Sequence, residues 1–157
     1  MVNLGEKEEV KSLEGAIFTP LNIIQVSDGN IQHGMKKEDS GYNGFGEAYF
    51  SNINFNSIKG WKRHFSMILN IIVPVGKIRF VLFDDREKSL TFNNFQELII
   101  SEENYGRLTV PPMIWFGFQG LSEGRNIILN ISNIIHDPEE QENIMLEDIK
   151  YNWNKRG

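Results

Sequence analysis

The feature that most constrains the fold is a succession of short runs rich in isoleucine, valine and phenylalanine, separated by glycine, asparagine, aspartate and proline. Runs of this length, bounded by turn-forming residues, are typical of β-strands, and no long helical period competes with them. The pattern predicts seven strands, over residues 45–55, 65–74, 77–84, 95–100, 106–110, 114–119 and 126–135. Many short strands in one chain favour a β-sandwich or a barrel.

The length of the chain predicts how these strands are organised. A protein of 157 residues, 40% of them hydrophobic, can bury one core without covalent cross-links. We therefore expect a single domain over residues 1–157, with residues 1–14 as a loose or dimer-swapped arm and residues 137–157 as a C-terminal tail element. Pro138 is expected at a turn of that tail and Trp153 as its anchor.

Composition excludes several classes of function. The sequence contains no cysteine, so disulfides, thiolate metal sites and a cysteine nucleophile are unavailable. A formal net charge of −5 argues against a nucleic-acid partner, which needs a clustered basic surface. The first residues carry no apolar signal-peptide core, and no apolar run is long enough to span a bilayer. We expect a cytoplasmic protein without a membrane partner. A small anionic ligand, unlike a nucleic acid, would need only a local basic cluster.

The segment IKGWKRH carries the densest set of candidate functional groups. On a strand, residues two apart face the same way, which puts Gly60, Lys62 and His64 on one face and Trp61 and Arg63 on the other. A lysine in a partly apolar cavity has a lowered pKa and can act as a base, or it can stay charged and bind a phosphate or a keto oxygen. A lysine beside a tryptophan is also common as a surface residue. The local pattern leaves these alternatives open.

Two other motifs favour ordinary loops. The glycines of residues 41–46 resemble a phosphate-binding loop, but a strand-like segment follows them where such a loop needs a helix. The acidic cluster of Glu139, Glu140 and Glu142 is predicted to be a solvated surface loop.

Five segments taken in order carry a specific resemblance: GFGEAYFS, IKGWKRH, VPVGKIRFVLFDDR, NYGRLTVPPMIWFGFQGLSEG and NIIHDPEE. Together they resemble the dTDP-4-dehydrorhamnose 3,5-epimerase family of cupin-type β-sandwiches over roughly residues 45–153. The resemblance implies an all-β, cupin-like antiparallel β-sandwich of the jelly-roll type. It also implies a homodimer and a nucleotide-sugar substrate.

The resemblance also shows where this chain departs from the family pattern. The family's R-G-L-H-x-Q motif falls on Lys59 to His64, so Lys62 stands at the usual histidine and His64 at the glutamine. The later P-P-G-x-A-H-G-F motif falls on residues 111–118, where Phe116 replaces the second histidine. The family's tyrosine falls in residues 133–135, which have no hydroxyl group. The resemblance therefore implies that Lys62 and His64 take over catalysis.

The implied reaction is epimerisation of a 4-keto-6-deoxyhexose, in which the keto group acidifies the neighbouring C–H bonds at C3 and C5. Lys62 and His64 are predicted to transfer protons or polarise the keto group. The candidate diphosphate ligands are Lys59, His33 and Arg79. The candidate ligands of sugar hydroxyls are Asn130 and Ser132. The missing acid has two tyrosine candidates, Tyr49 and Tyr105.

A cupin-type site can also hold a metal. Many cupins bind a metal through a His-x-His pair and a later histidine, but here Lys62 and Phe116 replace two of the three. A single imidazole does not hold a first-row metal firmly, so we expect neither a metal nor a cofactor. Two alternatives stay open: a non-catalytic nucleotide-sugar binding protein, and a 3,4-ketoisomerase that forms the same enolate but sends the proton elsewhere.

Overall fold

The computed structural model describes residues 12–155 and consists almost entirely of strands. Two single-turn 3₁₀ helices, Pro138–Glu140 and Leu146–Asp148, lie near the C-terminus. The strands are β1 Ile17–Pro20, β2 Ile23–Val26, β3 Gly29–Gln32, β4 Glu47–Asn52, β5 Ile58–His64, β6 Leu69–Val75, β7 Lys77–Phe83, β8 Phe95–Ser101, β9 Gly106–Val110, β10 Trp115–Gly120, β11 Ile127–Ser132 and β12 Gln141–Asn143.

The strands form two five-stranded sheets and one hairpin. The first sheet has the order β1-β9-β6-β11-β4, the second has the order β12-β5-β10-β7-β8, and β2 pairs with β3. Every pair of these strands is antiparallel. The prediction of an all-β, cupin-like antiparallel sandwich is confirmed.

The main core lies between the two sheets and is built by alternating side chains. In β7, Ile78, Phe80 and Leu82 enter this core, together with Leu108 of β9 and Ile128 of β11. Alternation puts the intervening residues of β7 on the opposite face of the sheet. Because that face is also covered, β7 is apolar along most of its length.

The C-terminal segment covers the outer face of the second sheet. Trp153 is buried there against Trp61, with ring centroids 5.5 Å apart, and Val81 and Trp115 complete the cluster. The indole N–H of Trp61 donates to the carbonyl oxygen of Leu146 at 3.1 Å. Trp153 therefore anchors the tail, and the tail supports β5 from behind.

The seven predicted strands are all present: the strand over residues 106–110 has the predicted ends, the other six have shifted ends, and five further strands were missed. The strand predicted over residues 65–74 begins four residues later, at Leu69, because the chain bends before β6. β5 is not among the seven predicted strands, although residues 58–64 are treated as a strand in placing Lys62 and His64 on one face. The other four, β1, β2, β3 and β12, are three or four residues long and have no fully buried residue. Strands this short carry too little alternation to be recognised.

The predicted arm at residues 1–14 lies mostly outside the described residues. Its last part, residues 12–14, packs against the sandwich: Leu13 is buried, and its backbone N–H donates to Gln96 Oε1 at 2.9 Å. Within residues 12–155, no helix has the length and apolar character needed to cross a membrane.

Candidate active site

A cavity of about 330 Å³ opens between the sheets, beside the edges formed by β4 and β12. Leu69, Phe116 and Phe118 supply its apolar surface. Its polar and charged side chains come from both sheets: Tyr49, Ser51, Lys59, Lys62, His64, Asn130 and Asn143. Four of the predicted site residues line this cavity, Lys59, Lys62, His64 and Asn130, together with one of the two candidate tyrosines, Tyr49.

A β-bulge brings Lys59 into this cavity. Phe116 of β10 pairs with Lys62 of β5, and Phe118 pairs with Lys59, so three steps along β5 match two along β10. Simple alternation would place Lys59 on the opposite face from Lys62, but the extra residue restores the same face. Gly60 lies within the bulge, where a Cβ atom would come 3.1 Å from the Cα atom of Gly117.

His64 is paired with a buried carboxylate. Its Nδ1 lies 2.9 Å from Glu140 Oε2, and the two side chains are only 8% and 10% exposed. Glu140 Oε1 accepts hydrogen bonds from the backbone N–H groups of Ser66 at 2.6 Å and Met67 at 2.8 Å. These donors hold the carboxylate in one orientation against the imidazole.

The environment sets the protonation of this pair. Burial lowers the pKa of His64 below its usual value, and the hydrogen bond and charge of Glu140 offset this only in part. Burial raises the pKa of Glu140, but the amide donors of Ser66 and Met67 and the contact with His64 outweigh it and lower the pKa overall. A neutral imidazole beside an ionised carboxylate must donate through Nδ1, which leaves Nε2 with a free lone pair.

Lys62 is a half-buried amine beside this pair. Burial lowers its pKa, and the positive charge of Lys59 lowers it further. The ion pairs within residues 12–155 involve other cations, and Lys62 takes part in none of them. Its amine is therefore easier to deprotonate than an ordinary lysine.

The opposite wall of the cavity offers neutral hydrogen-bonding groups. The Asn130 side-chain nitrogen donates to Ser51 Oγ at 3.0 Å and to the Tyr49 carbonyl oxygen at 3.4 Å, so its donors are engaged within the protein and its carbonyl oxygen is the group that can accept from a ligand. Tyr49 pairs with Asn130 in the β4–β11 ladder and is 44% exposed. Burial and the charge of Glu47 raise the pKa of Tyr49, so its hydroxyl keeps its proton.

Arg79 does not line this cavity, although the sequence suggested it as a diphosphate ligand. Its guanidinium is fully buried on the outer face of the second sheet. It donates to Gln119 Oε1 at 2.8 Å and to the backbone carbonyl oxygens of Lys155 at 2.8 Å and Trp153 at 3.4 Å. Through these bonds the guanidinium holds the C-terminal tail against the second sheet.

Ser132 and His33 also lie apart from the cavity. Ser132 shares a face with Asn130, as predicted, but it is fully buried and its hydroxyl donates to the carbonyl oxygen of Ile134 at 2.8 Å. His33 lines a separate cavity beside Lys36. Tyr105 donates to the carbonyl oxygen of His33 at 2.6 Å, so Tyr49 is the candidate tyrosine that reaches the Lys62 cavity.

Glu140 is a site residue that the sequence analysis missed. The prediction of a solvated loop is wrong for its side chain, which faces His64 across the β12–β5 pairing. Asn143 was also missed and lies opposite Lys62 in that pairing. The available signal was Pro138, since the proline turn at Pro138–Glu140 comes directly before β12, which returns to the sandwich and pairs with β5.

Comparison with known proteins gives one family match. A family model described as dTDP-4-dehydrorhamnose 3,5-epimerase matches residues 62–156. A curated relative, the probable low-salt glycan biosynthesis epimerase Agl13 of Haloferax volcanii, is 29% identical over 94 residues. That match covers 59% of this chain and 60% of the relative, so this chain spans less than two thirds of the relative's length.

Solved structures share the fold. A dTDP sugar isomerase from Desulfovibrio desulfuricans G20 is 32% identical, with a TM-score of 0.88 over 92% of this chain and 94% of that chain. The dTDP-4-dehydrorhamnose 3,5-epimerase of Bacillus anthracis, solved with TDP and PPi, is 20% identical with a TM-score of 0.77, over 91% and 87% of the two chains. ChmJ, a 3'-monoepimerase from Streptomyces bikiniensis solved with dTDP-quinovose, is 14% identical with a TM-score of 0.78, over 88% and 73%.

Proposed function

This chain belongs to the dTDP-4-dehydrorhamnose 3,5-epimerase family, and we propose that it removes and returns a proton beside the keto group of a dTDP-linked 4-keto-6-deoxyhexose. One observation carries the proposal: a buried His64–Glu140 pair faces a cavity that also holds a half-buried lysine. Perturbed titratable groups that converge in a cavity are the usual mark of proton-transfer chemistry.

In the proposed reaction, His64 is the base. Its free Nε2 accepts the proton from the carbon next to the keto group, and Glu140 stabilises the imidazolium that forms. Lys62 neutralises the negative charge that develops on the keto oxygen. Tyr49, on the opposite wall, donates a proton to the other face of the carbon, which inverts its configuration.

Binding of the substrate is assigned to the remaining side chains of the cavity. Lys59 is exposed and charged, which suits the diphosphate. The acceptor oxygen of Asn130 suits a sugar hydroxyl. The Bacillus anthracis structure holds TDP and PPi, ligands of the same chemistry. A cytoplasmic location and a homodimeric assembly remain part of this proposal.

A 3,4-ketoisomerase is the second candidate, because the 32% identical relative is called a dTDP sugar isomerase. Both reactions begin with the same proton abstraction and differ in where the proton returns. The non-catalytic alternative would bind the nucleotide sugar and exchange no proton.

Deuterium exchange distinguishes these functions. The protein is incubated with dTDP-4-keto-6-deoxyglucose in D2O, and C3 and C5 are followed by NMR. Exchange at both carbons is the expected result, whereas exchange at C3 with migration of the keto group identifies the isomerase. Tight dTDP binding without exchange would overturn both enzymatic proposals.

Two histidine variants give the control. His64→Gln should abolish exchange because the base is lost. His33→Gln should keep the wild-type rate because His33 lines a different cavity. Equal losses in both variants would contradict the assignment of His64.

A further inference from the structure

The position of Lys62 supports a more specific role than charge stabilisation. We propose that Lys62 is a nucleophile that forms an iminium ion with the C4 carbonyl of the keto sugar, so that the epimerisation runs through a covalent intermediate. This inference rests on the proposed function and deepens it. It assigns a covalent step to a residue that stands where the family pattern has a histidine.

The first support is geometric. Lys62 and His64 lie two residues apart on β5 and line the same cavity, so an amine and a base face one ligand. Lys62 pairs with Phe116 across the β10–β5 ladder, and Phe116 also stacks on His64 with ring centroids 6.1 Å apart. The amine therefore emerges beside an apolar surface, next to the imidazole that would take the proton.

The second support is the charge environment of the amine. No carboxylate within residues 12–155 forms an ion pair with Lys62, so no negative charge there holds its proton in place. The β-bulge brings Lys59 to the same cavity, and burial together with that charge lowers the pKa of Lys62. A desolvated lysine beside a second cation is the arrangement by which amines become nucleophilic towards carbonyls.

The steps balance without a redox partner. The neutral amine of Lys62 adds to C4, and loss of the carbonyl oxygen as water, with uptake of a proton, leaves the iminium ion. His64 Nε2 takes the proton from the neighbouring carbon to give an enamine. Tyr49 returns a proton to that carbon from the opposite face. Water then hydrolyses the iminium ion, which restores the ketone and the free amine, while His64 and Tyr49 exchange their protons with solvent.

Reductive trapping tests the covalent step directly. Wild-type protein is mixed with dTDP-4-keto-6-deoxyglucose and cyanoborohydride, and the adduct is located by peptide mass spectrometry. We expect one adduct, at Lys62, whose formation excess dTDP suppresses. Lys62→Arg keeps the positive charge but cannot form an iminium ion, so it should give no adduct. Lys88→Arg, at an exposed position, should be trapped like the wild type.

Oxygen exchange supplies an independent readout. An iminium ion returns to the ketone through water, so in ¹⁸O-labelled water the C4 oxygen should be replaced faster with enzyme than without it. An enolate mechanism retains that oxygen. Deuterium exchange at C3 or C5 without an adduct and without faster ¹⁸O entry would overturn the role of Lys62 alone. Absence of deuterium exchange would overturn the proposed function itself.

The variant Lys62→Arg distinguishes a nucleophilic role of Lys62 from a role as a positive charge alone. If Lys62→Arg keeps the wild-type rate of deuterium exchange, Lys62 acts only as a charge and the inference is wrong. A loss of exchange of about 10²-fold or more, in a protein that still binds dTDP, is the expected result.

Discussion

At the residue scale, the reactivity of His64 depends on two opposing effects. Burial disfavours the imidazolium, and the nearby charge of Glu140 favours it; burial wins, so the pKa of His64 is lowered. Glu140 keeps its own charge because backbone N–H groups solvate it in place of water. The pair is therefore held as a neutral base with a defined tautomer.

Glu140→Gln tests this pairing. The amide oxygen can still accept from Ser66 and Met67, but the charge that stabilises the imidazolium is gone. We expect deuterium exchange to slow by about 10²- to 10⁴-fold with the fold intact by circular dichroism. Glu139→Gln, at the exposed neighbour in the same 3₁₀ turn, is the matched control and should be unaffected.

The wild type and Glu140→Gln should differ in the pH dependence of kcat/KM. The base must be neutral, and the pKa of His64 is lowered, so protonation of His64 should reduce kcat/KM of the wild type at a pH below about 6.5, the usual pKa of histidine. Removing the negative charge of Glu140 lowers the pKa of His64 further and should move this acid limb to lower pH. A limb that moves to higher pH would contradict the assignment of His64 as the base.

At the element scale, β5 is held from both sides. Its cavity face carries Lys62 and His64, while Arg63 on the other face bonds to Glu142 of β12 and to Asp85, at 2.9 Å and 3.2 Å. The bond to Glu142 fixes β12 against β5, and β12 begins directly after Glu140. The outer face of the sheet thus positions the pair on the inner face.

Arg79→Met tests the structural role of the buried guanidinium. The tail carbonyl oxygens lose their donor, so we expect the free energy of unfolding to fall by about 1–3 kcal/mol, measured by urea denaturation. Lys155→Met, which removes a 49% exposed ammonium from the same tail, should cost at most about 1 kcal/mol. A loss of dTDP affinity at unchanged stability would restore the diphosphate role of Arg79.

At the scale of the whole molecule, the three candidate diphosphate ligands lie in three different places. Lys59 opens into the cavity between the sheets, His33 lines a second cavity, and Arg79 is buried under the C-terminal tail. A ligand in the first cavity contacts both sheets, so its binding should stabilise the sandwich as a unit.

Thermal unfolding with dTDP tests which cavity binds the nucleotide. At a concentration 100-fold above Kd, binding should add about 2.7 kcal/mol of stability to the wild type and shift Tm upwards. His33→Ala should show the same shift, and Lys59→Met should need a higher dTDP concentration to reach it. If His33→Ala needed the higher dTDP concentration and Lys59→Met did not, the nucleotide would lie in the cavity lined by His33.

Local patterns were enough to predict much of this molecule. Alternation of apolar residues identified the central strands, and the same rule placed Lys62 and His64 on one face of β5. It also placed Asn130 and Ser132 together, but it could not show that Ser132 bonds to a nearby carbonyl group while Asn130 reaches the cavity.

What the sequence by itself determined is therefore the all-β sandwich and the shared face of Lys62 and His64, because both depend on residues close together in the chain. Only the tertiary structure decided the rest of the site. Glu140 meets His64 across 76 residues of sequence, and Lys59 enters the cavity through a mismatch between β5 and β10. Both contacts depend on which strands pair and in which register. Pairing between distant segments is not encoded in any short stretch of the sequence, so it could not be predicted from local patterns.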